Sequence, residues 1–155
     1  MTVLVRFQRL AGSDPDIPLP AYATAGAAGA DIRANLTPED RTDGILLPSM
    51  GRVLVPTGLA CQIPAGYEMQ IRARSGLALR HGITLPNAPA TIDSDYRGPI
   101  GVILANLGSE PYLVVHGARI AQIVIAPASQ ARFECAETLE ESKRGTAGYG
   151  STGVD

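Results

Sequence analysis

Glycine and proline are spread so densely along this chain that long helices are excluded. Its 155 residues include 17 glycines and 12 prolines, and the longest stretch without either runs from Ala128 to Arg144. Both residues destabilise a helix interior, and an isolated helix needs roughly a dozen residues to form. The distribution therefore excludes a helical bundle and predicts a β protein.

Composition limits the class of protein further. Thirteen Lys and Arg residues against fifteen Asp and Glu residues give a net charge of −2, without the basic excess that a nucleic-acid-binding face requires. A hydrophobic share of 45% with only 18% charged residues argues against disorder of the whole chain. The length fits one domain with one hydrophobic core, which we expect to occupy residues 1–144.

The sequence carries no targeting signal that we recognise. Residues 1–6 lack the cationic and apolar regions of a secretory signal, and no apolar run reaches the ~20 residues that span a bilayer. Cys61 and Cys135 are interpreted as two buried, reduced thiols, and neither His81 nor His116 has the spacing of a zinc ligand. We therefore expect a cytoplasmic protein without a membrane segment.

Short strand patterns recur between turn residues, which is typical of a sandwich, jelly roll or barrel. The predicted strands are Val3–Phe7, Arg52–Val55, Leu59–Ile63, Tyr67–Arg74, Ile100–Leu107, Tyr112–His116, Arg119–Ala126 and Ala131–Ala136. The segment Gly108–Pro111 is predicted to be a hairpin turn. One short helix is predicted from Gly76 to His81, capped by Ser75 and ended by Gly82.

Two early segments suggest chemistry, although each also has a structural interpretation. The segment from Ala25 to Ile32 consists of small residues followed by the carboxylate of Asp31 and by Ile32. A tight bulge before a strand has the same pattern. Arg74, Ser75 and Gly76 place a cation, a hydroxyl and a bare amide at a helix start, which suits a phosphate. A plain helix cap beside a surface arginine explains the second segment equally well.

Two later segments have the same ambiguity. The segment from Thr91 to Gly98 includes Asp93. We expect this aspartate to lie partly buried at a strand end among apolar neighbours, which makes it a candidate general base. The alternative is that the segment is only the polar tip of a hairpin. Arg144 to Gly153 has the glycine-rich composition of a disordered linker, yet it also carries groups that bind phosphate and cover a base. We expect residues 145–155 to form a mobile arm.

Taken in order, these segments resemble the trimeric dUTP pyrophosphatase (dUTPase) family over nearly the whole chain. The five motifs of that family are matched by Ala27–Ile32, Arg74–Ala78, Asn87–Gly98, Arg119–Gln122 and Arg144–Gly153. Five motifs in order with compatible spacing are far more specific than any one of them.

The resemblance implies a fold, an assembly and a reaction. The implied fold is all-β, a distorted jelly-roll β-barrel with one short helix and a glycine-rich C-terminal tail that closes over the active site. The implied assembly is a homotrimer whose active sites are shared between subunits. The implied reaction is hydrolysis of dUTP to dUMP and pyrophosphate, which keeps uracil out of DNA and supplies dUMP for dTMP synthesis.

The resemblance also implies roles for individual residues. Asp93 would activate the attacking water. The phosphates would be held by Arg74, Ser75, Gly76, Gln122, Arg144, Ser151 and Thr152. The uracil and deoxyribose would be held by Asn87, Thr91, Ile92, Tyr96, Gly101 and Tyr149, with Tyr96 packing under the sugar and Tyr149 stacking over the base.

Magnesium is expected to enter with the substrate, bound through phosphates and waters rather than by direct protein ligands. Asp31 either contacts a metal-bound water or only fixes its loop. Three positions depart from the family pattern: Ala90 and Ala147 stand where glycine is usual, and Tyr149 where phenylalanine is usual.

Two rival functions share this fold prediction. A deoxycytidine triphosphate deaminase would need a carboxylate at the base, and the sequence suggests no acid near Asn87. A binding protein or structural jelly roll without catalysis would have no use for Asp93, Arg74, Gln122 and Arg144.

Overall fold

In the computed structural model, residues 2–146 are described, and they form twelve β-strands and one short helix. The elements are β1 (Arg6–Arg9), β2 (Ala21–Tyr22), β3 (Ala30–Arg33), β4 (Ile45–Leu47), β5 (Arg52–Pro56), β6 (Leu59–Gln62), β7 (Tyr67–Arg72), α1 (Ser75–His81), β8 (Ile83–Thr84), β9 (Ala90–Ile92), β10 (Gly101–Asn106), β11 (Tyr112–Val114) and β12 (Arg119–Pro127). The all-β prediction is confirmed. The first strand begins at Arg6 rather than Val3, because its partner β6 ends at Gln62.

Antiparallel pairs connect these strands into small sheets. The largest sheet has the order β2-β3-β12-β7-β9, and the others are β5-β10-β8, β1-β6 and β11-β4. Neighbours in a sheet come from distant parts of the chain, as β3 and β12 do. This topology fits a jelly-roll-type barrel.

Alternating burial along the strands places the core between the sheets. In β10, Val102, Leu104 and Asn106 are buried while the residues between them are partly exposed. In β7, Met69 and Ile71 have 0% and 1% exposure. Each such side chain contributes roughly 1.5–3 kcal/mol on burial, so these positions stabilise the sheet that carries the candidate site.

The prediction of a hairpin at Gly108–Pro111 is wrong. β10 pairs with β5 and β8, whereas β11 pairs with β4. The side chain of Asn106 bridges the segments at this change of sheet, because its Nδ2 donates to the carbonyls of Leu47 and Glu110 and its Oδ1 accepts from the Gly108 amide. A buried amide satisfied in this way fixes a corner between two sheets.

The helix is confirmed, but its predicted cap is not. Ser75 is the first helical residue of α1, Arg74 occupies the N-cap position, and no side-chain capping hydrogen bond forms. Gly82 ends the helix in the left-handed conformation with φ of 68°, as predicted. Ser75 therefore keeps its hydroxyl for another partner.

The segment after β12 does not form the predicted strand at Ala131–Ala136. Residues 128–146 are exposed and lie outside any strand or helix, and Phe133 is 92% exposed. The alternating pattern has no partner strand within the described part of this chain. Cys135 is consequently an exposed thiol, and the prediction that both cysteines are buried holds only for Cys61. Burial raises the pKa of the Cys61 thiol, and Arg97 opposes that rise.

Across residues 2–146 we find no helix with the length and apolarity needed to cross a bilayer.

Candidate active site

A cluster of charged side chains surrounds Asp31 on β3. Arg74 Nε donates to Asp31 Oδ1 at 3.1 Å, and Arg119 Nη1 donates to Asp31 Oδ2 at 3.0 Å. Gln122 Nε2 also donates to Asp31 Oδ1, at 3.3 Å. These contacts join three of the predicted motifs around one carboxylate.

Sheet register explains why these residues meet. β12 pairs with β3 so that Gln122 lies opposite Asp31, and it pairs with β7 so that Gln122 also lies opposite Arg72. Arg74 follows two residues after β7 ends. The cluster thus lies across three adjacent strands, which is a rigid location.

Gly29 explains part of the small-residue motif. A Cβ at Gly29 would lie 3.3 Å from the Cβ, Cδ and Oε1 atoms of Gln122. A larger side chain would therefore push Gln122 away from Asp31. The small residues before β3 leave room for this amide, in addition to forming the approach to a strand.

Opposing effects set the charge state of Asp31. Burial acts to raise the pKa of Asp31, but Arg74, then Gln122 and Arg119, lower the pKa below its usual value of 3.8. The carboxylate is consequently ionised at neutral pH, and it compensates part of the positive charge of the two arginines. Arg119 was placed in a motif by the sequence but given no role; only the strand register reveals its contact.

Ser75 and Gly76 lie beside this cluster and face solvent. Both are exposed, and a Cβ at Gly76 would have no atom within 4 Å. The start of α1 is thus accessible next to Arg74. The structure brings together Arg74, Ser75, Gly76 and Gln122 of the predicted phosphate-binding residues.

A separate cavity of about 570 Å³ contains the predicted nucleoside residues. Asn87, Thr91, Ile92, Tyr96 and Gly101 all line it. Its walls are mainly apolar, as is usual for small-molecule sites with a few placed polar groups. Residues predicted from the segment Asn87–Gly98 and from the returning strand β10 therefore share one cavity.

Asp40 also lines this cavity, which corrects the expectation of no acid near Asn87. Asp40 is partly buried, and Thr37 Oγ1 lies 3.1 Å from its Oδ2. This residue comes from the segment between β3 and β4, so no local motif around Asn87 could reveal it.

Asp93 follows directly after β9, at a strand end as predicted, but its surroundings differ from the prediction. The side chain is exposed rather than partly buried, and it borders a depression whose lining is mixed, with Glu68, Ser94 and Asp95 beside Tyr67 and Ala128. The adjacent loop is braced by Arg97, whose Nη1 donates to the carbonyls of Ser94 and Tyr96, each at 2.7 Å.

The cluster around Asp31 and the side chain of Asp93 are far apart within one chain. Continuing the β7–β9 register places Asp93 opposite Glu68, four residues along β7 from Arg72, which lies opposite Gln122. Four residues along the strand and two strand spacings across the sheet amount to about 16 Å between the backbones of Asp93 and Gln122.

Three of the predicted residues, Tyr149, Ser151 and Thr152, lie outside the described residues, as does Ala147. Arg144 is described and exposed. The predicted roles of all four site residues in this segment remain predictions.

Comparison with known proteins identifies the family. The dUTPase family model matches residues 15–153. The chain belongs to the dUTPase family.

Curated relatives agree with this membership over nearly their full lengths. The deoxyuridine 5'-triphosphate nucleotidohydrolase of Dinoroseobacter shibae is 59% identical over 153 residues, covering 99% of both chains. The protein of the same name from Roseobacter denitrificans is 58% identical, covering 99% of this chain and 98% of its own.

Solved structures of family members share the fold. A D95E mutant of the dUTPase from Staphylococcus phage 80alpha has a TM-score of 0.79 at 23% identity, covering 97% of this chain and 99% of its own. The Streptococcus mutans dUTPase has a TM-score of 0.71 at 25% identity, covering 82% and 98%. A D95N mutant from phage phi11 of S. aureus, with a TM-score of 0.70 at 20% identity over 91% and 100%, is described with a structural Mg(II) ion.

Proposed function

We propose that this chain hydrolyses dUTP to dUMP and pyrophosphate, with Asp93 activating the attacking water. The observation that carries the proposal is the single cavity lined by all five described nucleoside residues, in a chain that belongs to the dUTPase family. Curated relatives that are 59% and 58% identical over nearly their whole lengths are named for the same activity.

Recognition of the nucleoside is assigned to the 570 Å³ cavity. The Asn87 side chain and the backbone at Thr91, Ile92 and Gly101 read the uracil edge, since peptide groups offer donors and acceptors at matching spacing. Cytosine would leave some of these groups unpaired, which is costly in a buried site. Tyr96 packs against the deoxyribose where a ribose 2′-hydroxyl would clash.

Binding of the triphosphate is assigned to Arg74, Ser75, Gly76 and Gln122. Guanidinium and amide donors match phosphate oxygens, and the accessible start of α1 leaves space for them. Residues 1–144 form the barrel domain, and residues 145–155 form an arm that brings Tyr149 over the base and Ser151 and Thr152, with Arg144, to the γ-phosphate.

Magnesium fits this site through the substrate rather than through the protein. Both oxygens of Asp31 already accept hydrogen bonds from Arg74, Arg119 and Gln122, so we propose that Asp31 does not bind the ion directly. Mg²⁺ is commonly held by phosphates and waters, and when bound it neutralises charge on the phosphate oxygens.

The chemistry is an in-line displacement at the α-phosphorus. Asp93 accepts a proton from water as the water oxygen forms a bond to that phosphorus. The bond from the α-phosphorus to the oxygen that bridges to the β-phosphorus then breaks, and pyrophosphate leaves. Arg74 stabilises the charge that develops on the phosphate oxygens.

The separation of Asp93 from Gln122 supports active sites that are shared between subunits, which we propose to be those of a homotrimer. Both residues must come within hydrogen-bond reach of the same phosphate, which is far less than about 16 Å. We therefore assign one of them to a second copy of the chain. Exposed apolar residues, including the adjacent Leu46 and Leu113 and the 92% exposed Phe133, offer surface for such contacts.

Release of pyrophosphate from dUTP tests the proposed activity. The wild-type chain should release pyrophosphate with Mg²⁺ present, and the Asp93→Asn variant should fold and bind nucleotide but lose most turnover. Near-normal hydrolysis by that variant would remove Asp93 from the mechanism.

Two further outcomes separate the rival functions. Because Asp40 lines the cavity, dCTP is assayed in parallel for ammonia, and ammonia formation that is lost in Asp40→Asn would indicate a deaminase. Nucleotide binding without any product would indicate a binding protein. A cytoplasmic location is also proposed, supported by two cysteines that are free thiols.

A further inference from the structure

Tyr96 is held in its position by the two residues that follow Arg97. Its hydroxyl donates a hydrogen bond to the carbonyl of Pro99 at 2.9 Å. Its ring lies directly against Gly98, where an added Cβ would be 2.4 Å from Oη, 2.6 Å from Cζ and 3.0 Å from Cε2. Real Cβ atoms do not approach other atoms so closely, so the present ring position requires a glycine at position 98.

The glycine is not required by its backbone. The φ angle of Gly98 lies outside the left-handed region that favours glycine, so alanine is free of backbone strain there. Among the described residues, the three atoms nearest to that added Cβ all belong to Tyr96, so the tyrosine ring is the feature that selects against a methyl group there. This separates Gly98 from Gly82 and Gly117, whose φ angles of 68° and 79° themselves favour glycine.

We infer that Gly98 is a specificity-determining positioning residue, which acts on sugar selection by setting the ring of Tyr96. The inference rests on the proposed function, because it uses the role of Tyr96 against the deoxyribose. Tyr96 is 41% exposed, so its ring has solvent to move into when a methyl group displaces it. The fold should therefore tolerate the change while the nucleoside cavity, which Tyr96 lines, changes shape.

Discrimination between deoxyribose and ribose should respond more than the rate does. A displaced ring no longer fills the place of the 2′-hydroxyl, whereas the triphosphate contacts at Arg74 and Gln122 are untouched. The expected signature of Gly98→Ala is a UTP/dUTP ratio of kcat/KM that rises by about fivefold or more, with kcat for dUTP reduced far less. A residue that only stabilises the fold would lower both substrates together.

Pyrophosphate release from dUTP and UTP is measured for the wild type, Gly98→Ala, Tyr96→Ala and the double variant. Gly26→Ala is the matched control, because it adds the same methyl group at an exposed site with no atom within 4 Å. If Gly98 acts through Tyr96, Gly98→Ala raises the ratio in the wild type and adds nothing in the Tyr96→Ala background. An unchanged ratio in Gly98→Ala, or an equal rise in both backgrounds, overturns the inference.

Two additional measurements examine the position of the Tyr96 ring more directly. Tyr96→Phe removes the hydrogen bond to Pro99 without altering residue 98, and its ratio should lie between those of the wild type and Tyr96→Ala; a wild-type ratio would exclude that bond from ring placement. A crystal structure of Gly98→Ala should show a displaced ring, and an unmoved ring overturns the inference whatever the activity. Failure of the wild type to hydrolyse dUTP would instead overturn the proposed function alone.

Discussion

Asp31 and Arg74 are 43 positions apart in the chain, and their side chains meet at 3.1 Å between Oδ1 and Nε. The second oxygen of the same carboxylate holds Arg119 at 3.0 Å. Two cations that would repel each other are thereby fixed side by side on the accessible surface beside α1. Asp31 thus organises the groups to which we assign the phosphates, without needing to touch the substrate itself.

Replacing Asp31 by asparagine should reduce triphosphate binding while sparing the nucleoside cavity. The amide keeps the size of the side chain but loses the negative charge, so Arg74 and Arg119 lose a charge-assisted partner worth roughly 1.5–3 kcal/mol. We expect kcat/KM for dUTP to fall about tenfold or more, in line with that range. Calorimetry with deoxyuridine, which carries no phosphate, should give the wild-type affinity. Equal losses for both ligands would show that Asp31 acts through the fold.

Acid should weaken a second carboxylate contact, between Asp14 and His116. His116 Nε2 lies 3.0 Å from Asp14 Oδ2, while His116 Nδ1 accepts a hydrogen bond from the Leu36 amide. Together, the two contacts of His116 join the N-terminal segment to the end of β11 and to the segment after β3. The hydrogen bond from His116, followed by the one from the Asp16 amide, lowers the pKa of Asp14 below its usual 3.8. A lowered pKa means that the stabilisation is complete above the unfolded value and is lost as pH falls through the folded value.

Urea denaturation of the wild type and Asp14→Asn checks this contact. The difference between their midpoints should be constant from about pH 5 to pH 6 and should shrink as the pH falls below about 4. A difference that stays constant down to pH 2.5 would contradict the assignment of the contact to the ionised carboxylate.

The sequence predicts the long strands well because their patterns are local. Tyr67–Arg74 alternates apolar and polar residues, and β7 occupies Tyr67–Arg72. The two-residue strands β2 and β8 are too short to carry a pattern. The change of sheet at Asn106 depends on side-chain contacts with Leu47, 59 positions away, which no turn pattern encodes.

The residues of the candidate site likewise divide into those that the sequence predicts and those that it does not. The nucleoside residues could be predicted because they belong to one motif and its returning strand. The contact between Asp31 and Arg119, 88 positions apart, depends on the register of β3 and β12 and could not be predicted. The sequence also predicts partial burial of Asp93, whereas its side chain is exposed, because the described part of this chain supplies no surface that covers it.

Magnesium binding should require the nucleotide. Calorimetry with Mg²⁺ and the empty protein should show little heat, whereas addition of a non-hydrolysable dUTP analogue should produce clear binding. The reason is that both oxygens of Asp31 are already engaged by arginines, so this carboxylate is not free to bind the ion. Tight binding of Mg²⁺ by the empty protein would contradict the account, and Asp31→Asn would show whether Asp31 is responsible.

Removing residues 144–155 should separate folding from activity. Among the described residues, none of the buried core lies beyond Ile123, so a chain that ends at Lys143 should fold and assemble like the full chain. It should lose most of its dUTP hydrolysis, because Arg144, Tyr149, Ser151 and Thr152 are absent. Sedimentation and pyrophosphate release are measured on the same samples, and full activity of the shortened chain would remove these four residues from the site.

We propose that each active site combines Asp93 of one subunit with Arg74 of another. Asp93→Ala and Arg74→Ala chains should each form inactive trimers, because every site lacks one of the two groups. When equal amounts are denatured together and refolded, random assembly should restore roughly a quarter of all sites, one half chance for each of two chains. Pyrophosphate release near a quarter of the wild-type rate is the predicted result. No recovery, with both parents still trimeric and the mixture shown to exchange subunits, would place both residues of a site in one chain and contradict the account.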